Sequence, residues 1–403
     1  MKVFEDLERR GLVKQVTDAG KVCALLESES PVTFYIGFDP TADSLHVGHL
    51  LQLVTAKRLL DFGHEAILLI GSATALIGDP TGKTEMRKML SVDDVRNNAT
   101  KIHQQFQRVV KSENFKVANN ASWFGTTNFL TFIRDVGAHF SVNNMLRAEC
   151  FKSRMENGLS FLEFNYMVMQ AEDFRRLWLE HACLLQIGGD DQWSNILAGI
   201  DLIHKKEGGE AFGLTLPLLV NSDGTKMGKT ERGAVWLDPE KTSPFEFFQF
   251  WRNIPDDKVK DCINFFTDFE PYRVEDQLSD INQAKKFLAF EVTKLVHGQK
   301  SAMQALGQAE ALFEKHDTSE AITVQVTEGS HILDAIIKCE FAKSRTEARN
   351  LILNRGITIN DEVQTNPTLI LSRVIFGNEL ILRKGKKHFC RLLIEDKCPD
   401  QNT

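Results

Sequence analysis

The residues of this 403-residue chain that could do chemistry begin with His46-Val47-Gly48-His49, close behind Asp39-Pro40-Thr41. Two histidines three apart share one face of a helix. The glycine between them lets a flat ring or a phosphate approach the backbone, and a helix N-terminus favours an anion. A metal pair would want a third ligand and a carboxylate base, and none is evident. The second cluster is Lys226-Met227-Gly228-Lys229-Thr230, after Ser222-Asp223-Gly224. Two lysines around a glycine in a turn-rich loop are mobile cations able to close on a phosphate. Taken singly, the first cluster is equally a chance pairing and the second a solvated loop.

These residues need elements to position them. Val32–Phe38 is β-branched and aromatic and runs into Asp-Pro, so it reads as a buried strand ending in a turn. Leu45–Phe62 carries apolar residues at helical spacing, stopped by Gly63. Ala66–Gly71, Ala182–Gly188 and Leu214–Val220 read as further buried strands. Apolar strands alternating with helices predict an α/β fold, a Rossmann-like parallel sheet covered on both faces. Ligands then bind beyond the carboxyl ends of the strands, where both clusters fall. Residues 92–155 read mainly as helices inserted between the sheet halves, and 240–316 as helical and polar. Thr318–Gly329 lacks periodicity and reads as a linker before a compact module near His331.

Composition narrows the class. Lys+Arg number 48 against Asp+Glu 55, for a net charge of −7, with 42% hydrophobic and 26% charged residues, which is globular usage. Ala66–Gly78 is too short to span a bilayer, and the acidic start MKVFEDLERR is unlike a signal or transit peptide. Seven scattered cysteines without a C-x-x-C fit a reducing compartment and no zinc site; a cytoplasmic location is expected. Residues 331–396 carry 11 Lys+Arg against 8 Asp+Glu, whereas residues 1–330 are net −10, so a polyanion partner belongs at the C-terminal end. There are 28 Phe and only 3 Tyr, namely Tyr35, Tyr166 and Tyr272, so a tyrosine hydroxyl stands out as something used. Gly78-Asp79-Pro80-Thr81-Gly82-Lys83-Thr84 invites a P-loop reading, but Ile77 stands where that loop needs its first glycine.

The HVGH and KMGKT motifs, in order and 180 residues apart, resemble the two signatures of class I aminoacyl-tRNA synthetases. Tyr35–His46 (YIGFDPTADSLH) resembles the opening of the bacterial tyrosyl-tRNA synthetase family. So do Asn165-Tyr166-Met167 with Gln170 and Asp173, and Leu185–Gly189 with Asp191-Gln192-Trp193. The resemblance implies activation of L-tyrosine by ATP to tyrosyl-adenylate and pyrophosphate, then transfer to the 3′-terminal ribose of tRNA(Tyr). It implies Mg²⁺ travelling with ATP, no prosthetic group, no dedicated metal site, and a homodimer with its interface near Phe132–Val142. Positions matching Tyr35 and Asp173 hold the substrate phenol. Those matching Thr74, Asp79, Tyr166 and Gln170 hold its ammonium, and Gln192 also serves the amino acid. Gly37, Asp39, Gly48, His49, Asp191, Gln192 and Met227 match nucleotide positions. Thr41 and His46 match γ-phosphate positions, and Lys83, Arg87, Lys226 and Lys229 match the cations that follow pyrophosphate. A tryptophanyl-type enzyme of this architecture, or an RNA-binding protein on a disused synthetase fold, are the alternatives. The first should lack the Tyr35/Asp173 pair, and the complete motifs argue against the second.

The sequence departs from the family pattern at Ile36, often Cys, with a ribose contact expected lost. Glu172 stands where Tyr is common and would raise the pKa of Asp173 if both face the pocket. Asp190, where a small polar residue is usual, is expected to add negative charge beside Asp191, and Ala75 replaces a common glycine. In the terminal module, Ser344-Arg345-Thr346-Glu347 fits a capping box, with a helix from Arg345 to about Arg355, a stop at Gly356 and a strand over Ile357–Asn360. The module resembles the S-four-type RNA-binding family. Arg345 and Arg349 on one helical face, with the basic hairpin of Lys384, Lys386 and Lys387, are its candidate RNA contacts. The expected domains are a catalytic domain with its helical insertion (1–217), an all-helical domain carrying the signature loop (218–317), a linker (318–330) and the RNA module (331–396).

Overall fold

The architecture was read from a computed structural model, which describes residues 2–81, 89–148, 150–151, 155, 158–230, 233–270, 280–313, 323–360, 362–376, 379–385 and 388–395. The chain forms two compact units, Met1–Ala305 and Leu306–Thr403.

The first unit is built on a six-stranded sheet in which apolar sequence dictates depth. Its strands are β1 (Gln15–Val16), β2 (Thr33–Phe38), β3 (Glu65–Ile70), β4 (Phe115–Asn119), β5 (Leu185–Gly189) and β6 (Phe212–Leu216), in the order β1-β6-β5-β2-β3-β4. All neighbours are parallel except β1, which is antiparallel to β6 at the edge. Residues of β5 and β6 are buried throughout, as both-face coverage by helices requires. The helix Val47–Asp61 follows β2 with His46 as its N-cap. The helices Val92–Val110 and Phe161–His181 open on capping boxes, Ser91/Asp94 and Ser160/Glu163.

Several boundaries differ from the sequence expectation, each for a local reason. The strand expected from Ala182 starts at Leu185, because Ala182 takes φ 49° and ends the preceding helix in the left-handed region. The strand expected at Leu214–Val220 is Phe212–Leu216; Pro217 cannot donate to the ladder and stops it. The stretch 92–155, expected to be mainly helical, contains β4, whose half-buried FKVAN lacks the apolar run of the inner strands. The segment 218–317, expected to be all-helical, holds the short hairpin β7 (Lys229–Thr230) and β8 (Gly233–Ala234) before its helices Pro244–Arg252, Val259–Phe266, Ile281–His297 and Gln299–Phe313.

The second unit contains a five-stranded sheet with strands β9 (Thr323–Thr327), β10 (Ile357–Ile359), β11 (Glu362–Val363), β12 (Glu379–Lys384) and β13 (His388–Glu395), ordered β11-β10-β12-β13-β9. The helices Ile332–Lys338 and Arg345–Leu353 contribute Ile332, Leu333, Ile336, Ala348 and Ile352 to its core. The expected linker is thus corrected: Thr323–Thr327 is an edge strand pairing in parallel with β13. Its alternating TVQVT leaves Val326 buried and its neighbours exposed or half-buried, which weakens the apolar signal. The capping box is half formed. Ser344 accepts the Glu347 N–H at 3.2 Å, but Glu347 reaches the N–H of Lys343 rather than that of Ser344. Arg355, at φ 56°, takes the left-handed position expected of Gly356.

Candidate active site

At the carboxyl ends of the inner strands lies a cleft of about 380 Å³. Its floor is set by the turn from β2 into the Val47–Asp61 helix. The Gly48 N–H donates to His46 Nδ1 at 3.0 Å and the His46 N–H to His49 Nδ1 at 3.3 Å, and the rings stack with centroids 4.0 Å apart. With both Nδ1 atoms accepting, the neutral rings carry their proton on Nε2. Burial, then the charges of His46 and Lys226, pushes His49 well below the usual histidine range, so at neutral pH it is an uncharged donor. A Cβ on Gly48 would lie 2.8 Å from His46 Cε1, which ties this glycine to the ring packing.

The cleft is also lined by Tyr35, Thr74, Asp79, Tyr166, Gln170 and Asp173. Tyr35 on β2 is 1% exposed, and among the described residues its hydroxyl has no hydrogen-bond partner. Asp173, also buried, accepts from Trp123 Nε1 at 2.9 Å and Asn120 Nδ2 at 3.0 Å. Burial pushes its carboxyl well above the usual range; those two donors pull it down, and Asp39 and then Glu172 push it up. Asp39 accepts from Thr74 Oγ1 at 2.7 Å and from Tyr166 Oη at 2.8 Å. Asp79 accepts from the Thr81 N–H at 2.9 Å and from Gln192 Nε2 at 2.8 Å. The result is a slot walled in part by the buried Tyr35 hydroxyl and Asp173 carboxyl, with the carboxylates of Asp39 and Asp79 on the same cleft and suited to a cation.

The KMGKT loop approaches the same cleft. Lys226 Nζ is 3.1 Å from Asp191 Oδ2. Val47 N–H donates to Val235 O at 3.0 Å, Val235 N–H to Gly228 O at 2.8 Å, and His46 bridges to Trp236, so loop and HVGH helix are stitched through the backbone. Gly228 has φ 83°, and a Cβ there would sit 2.1 Å from Val47 Cγ2. Thr41, Gly37, Gly48, Asp191, Gln192 and Met227 line the cleft with these groups. Lys229 opens β7, and Lys83 and Arg87 lie outside the described residues.

Three sequence departures are resolved by geometry. Ile36 is fully buried in the sheet and is absent from the cleft wall. Glu172 does not face the pocket; it accepts from Arg175 at 2.7 and 2.8 Å and from Arg176 at 2.9 Å, and Arg175 also reaches Glu207 at 2.6 Å. Its influence on Asp173 is correspondingly smaller than that of Asp39. The Asp190 side chain accepts from Gln15 Nε2 and Thr215 Oγ1 and is not among the residues lining the cleft. Ala75 is buried on the short helix Ser72–Ile77.

Asn120 and Trp123 were not anticipated, because the strand that delivers them, β4, was read as helix. Gln186 was also missed. It is a buried amide on β5 whose Oε1 has no partner among the described residues, and its signal was one polar residue inside an apolar strand. Gly71 is required too: a Cβ there would lie 2.1 Å from Asp39 Oδ1 and 2.4 Å from Thr74 Oγ1. In the second unit Arg345 pairs with Asp334, Nε to Oδ1 at 2.7 Å, and Lys384 Nζ caps the Phe341 carbonyl at 2.7 Å. Arg349 is exposed, and Lys386 and Lys387 lie outside the described residues.

Sheet topology and site together define a class I synthetase catalytic unit, and comparison with known proteins agrees. The family model for class I tRNA synthetases (W and Y) matches residues 27–314, and that of the tyrosine–tRNA ligase SYY-like C-terminal domain matches residues 312–392. The chain belongs to this class I tRNA synthetase family. It is 49% identical to a tyrosine–tRNA ligase of Acetivibrio thermocellus over 97% of this chain and 98% of the relative. It is 48% identical to one of Caldanaerobacter subterraneus over 98% and 100%. A C-terminally truncated mitochondrial tyrosyl-tRNA synthetase of Aspergillus nidulans superposes with a TM-score of 0.70 at 31% identity, covering 77% of this chain and 94% of that one.

Proposed function

We propose that this chain is a tyrosine–tRNA ligase whose cleft binds L-tyrosine and ATP side by side. The observation that carries the reading is the buried, unpartnered Tyr35 hydroxyl in a slot shared with Asp173. A phenol placed there can accept from Tyr35 and donate to Asp173 beside the Trp123 and Asn120 bonds, whereas phenylalanine leaves the Tyr35 hydroxyl without a partner. Thr74, Asp79, Tyr166 and Gln170, with Gln192, surround the ammonium, whose three donors need acceptors.

The tyrosine carboxylate attacks the α-phosphorus of ATP. A carboxyl–phosphate bond forms as the bond to the bridging oxygen of pyrophosphate breaks, with no covalent enzyme intermediate. The 3′-terminal ribose hydroxyl of tRNA(Tyr) then takes the tyrosyl group, and AMP leaves. Gly37, Asp39, Gly48, His49, Asp191, Gln192 and Met227 hold the nucleotide. Thr41 and His46 meet the γ-phosphate, and Lys83, Arg87, Lys226 and Lys229 neutralise the departing pyrophosphate. Positioning and charge stabilisation suffice for such chemistry. Mg²⁺ is taken to arrive on the triphosphate. Among the described residues no group of three or more His, Cys, Asp or Glu side chains could hold a metal ion.

The second unit is read as the tRNA anchor, with Arg345, Arg349, Lys384, Lys386 and Lys387 as its proposed RNA contacts. A homodimer is read from the apolar side chains exposed on the insertion, Phe129, Leu130, Ile133 and Val142. Among the described residues no helix is long and apolar enough to cross a membrane, and the cytoplasm, where tRNA and ATP meet, is the proposed place of action. ATP–pyrophosphate exchange with tyrosine, phenylalanine and tryptophan in parallel tests the reading. Exchange with tyrosine alone is expected, and its absence with tyrosine would overturn it.

A further inference from the structure

We propose that Asp190, which lies outside the cleft wall, is a positioning residue that sets Asp191 and Gln192 for the nucleotide by tying their turn to the edge strand β1. The proposal rests on reading the cleft as a nucleotide site. Asp190–Gln192 is a single 3-10 turn at the carboxyl end of β5, and no side chain caps its N-terminus. Two glycines, Gly188 and Gly189, precede it, so no side chain just before the turn restrains its direction. Its next two residues face the cleft. Asp191 meets Lys226, and Gln192 reaches Asp79 while its Oε1 accepts from Asn195 Nδ2 at 3.0 Å.

Asp190 faces the other way. Its Oδ1 accepts from Thr215 Oγ1 at 2.9 Å and from Gln15 Nε2 at 2.6 Å. A carboxylate only accepts, so the single Thr215 hydroxyl proton points to Asp190. The same hydroxyl oxygen then accepts the Gln15 backbone N–H at 3.0 Å. Thr215 is fully buried on β6, and Gln15 stands opposite it in register on β1. Three adjacent strands, β5, β6 and β1, therefore converge on one carboxylate oxygen. Because β1 is the antiparallel strand, it meets β6 from the end where the parallel strands deliver the cleft, and its Gln15 is well placed to reach this turn. Hydrogen bonds to a charged acceptor are among the stronger ones, and these two are partly shielded from solvent. They act here on a turn whose displacement would move two nucleotide-facing side chains together.

The test uses the full chain. ATP–pyrophosphate exchange gives KM for ATP, KM for tyrosine and kcat, and calorimetric titration with ATP and Mg²⁺ gives nucleotide affinity independently of tyrosine activation. Asp190→Ala should weaken ATP binding and raise its KM about tenfold, the scale expected when reacting groups shift by a fraction of an ångström. Asp190→Asn keeps an acceptor oxygen at Oδ1 and should return ATP binding to within about twofold of wild type. Gln15→Leu removes one of the two donors and should move the same parameter in the same direction by a smaller factor, which keeps the test alive if Asp190→Ala fails to fold. Unchanged ATP affinity in both Asp190→Ala and Gln15→Leu, or a loss that Asp190→Asn does not restore, would overturn the proposal. Lack of tyrosine-dependent exchange in the wild type would instead defeat the tyrosine reading and leave the ATP titration to decide this one.

Discussion

Tyr35 and Asp173 do opposite things to the free protein and to the reaction. A buried hydroxyl without a partner is a net burden on folding, so Tyr35→Phe should leave the unliganded chain at least as stable in a urea titration. The same change removes one of the two groups proposed to meet the substrate phenol, and the preference for tyrosine over phenylalanine in exchange should drop roughly fivefold, the scale of one hydrogen bond. An unchanged preference would refute the role given to Tyr35. Asp173 adds a pH signature. Burial holds its proton to a higher pH than an ordinary carboxyl, and a protonated Asp173 cannot accept the phenol proton as a carboxylate does. KM for tyrosine should therefore fall as pH rises through that elevated pKa, while KM for ATP does not follow. The stability sign is the reverse. With the folded pKa above the unfolded value of about 4, this carboxyl withdraws stability as pH rises beyond that value and withdraws none below it. Asp173→Ala should cut tyrosine activation severely and abolish the pH step in what remains.

The signature loop shows how one glycine can fix the meeting of two elements. Gly228 combines a left-handed backbone with a 2.1 Å approach of its absent Cβ to Val47 Cγ2. Gly228→Ala incurs the left-handed penalty of roughly 1–2 kcal/mol and a clash besides. kcat/KM for ATP should fall by about tenfold or more. Val47→Ala in the same chain should recover only the steric part, so a double variant as active as wild type would refute the backbone argument. Legibility from sequence followed similar lines. The inner strands and the HVGH helix were readable because burial on both faces writes unbroken apolar runs. Strands β4 and β9 were not, since edge strands with one wet face lose that run. Missing β4 hid Asn120 and Trp123, the donors that orient Asp173. The motifs gave Glu172 and Asp190 their addresses but not their directions. Those depend on Arg175, Arg176, Gln15 and Thr215, partners distant in sequence or unmarked by any motif.

At the scale of the molecule, the insertion and the second unit carry separate predictions. Phe129 and Leu130 are adjacent and 65% and 69% exposed, so together they present apolar surface on the insertion. If they meet a second copy, Leu130→Asp should shift the chain toward monomer in sedimentation equilibrium, and an unaltered mass would remove this face from the interface.

The second unit can be removed cleanly only at one kind of place. A cut before residue 331, where the charge pattern changes, would keep Thr323–Thr327 and delete β13, its sheet partner among the described residues. A chain ending at residue 313 keeps the whole six-stranded sheet, every residue lining the cleft and the helix Gln299–Phe313, and it discards the five-stranded sheet intact. On the proposed function activation and tRNA anchoring are then separable, because the first would draw only on groups of the cleft and the second on a cationic surface reaching the polyanion. The 313-residue chain should exchange pyrophosphate with tyrosine to within about threefold of the full chain, as expected for a unit with its own core, yet fail to charge tRNA(Tyr). Charging by the intact chain should weaken steeply with added salt while exchange does so far less. Equal loss of both reactions on truncation would mean that the second unit supports the cleft rather than holding the tRNA.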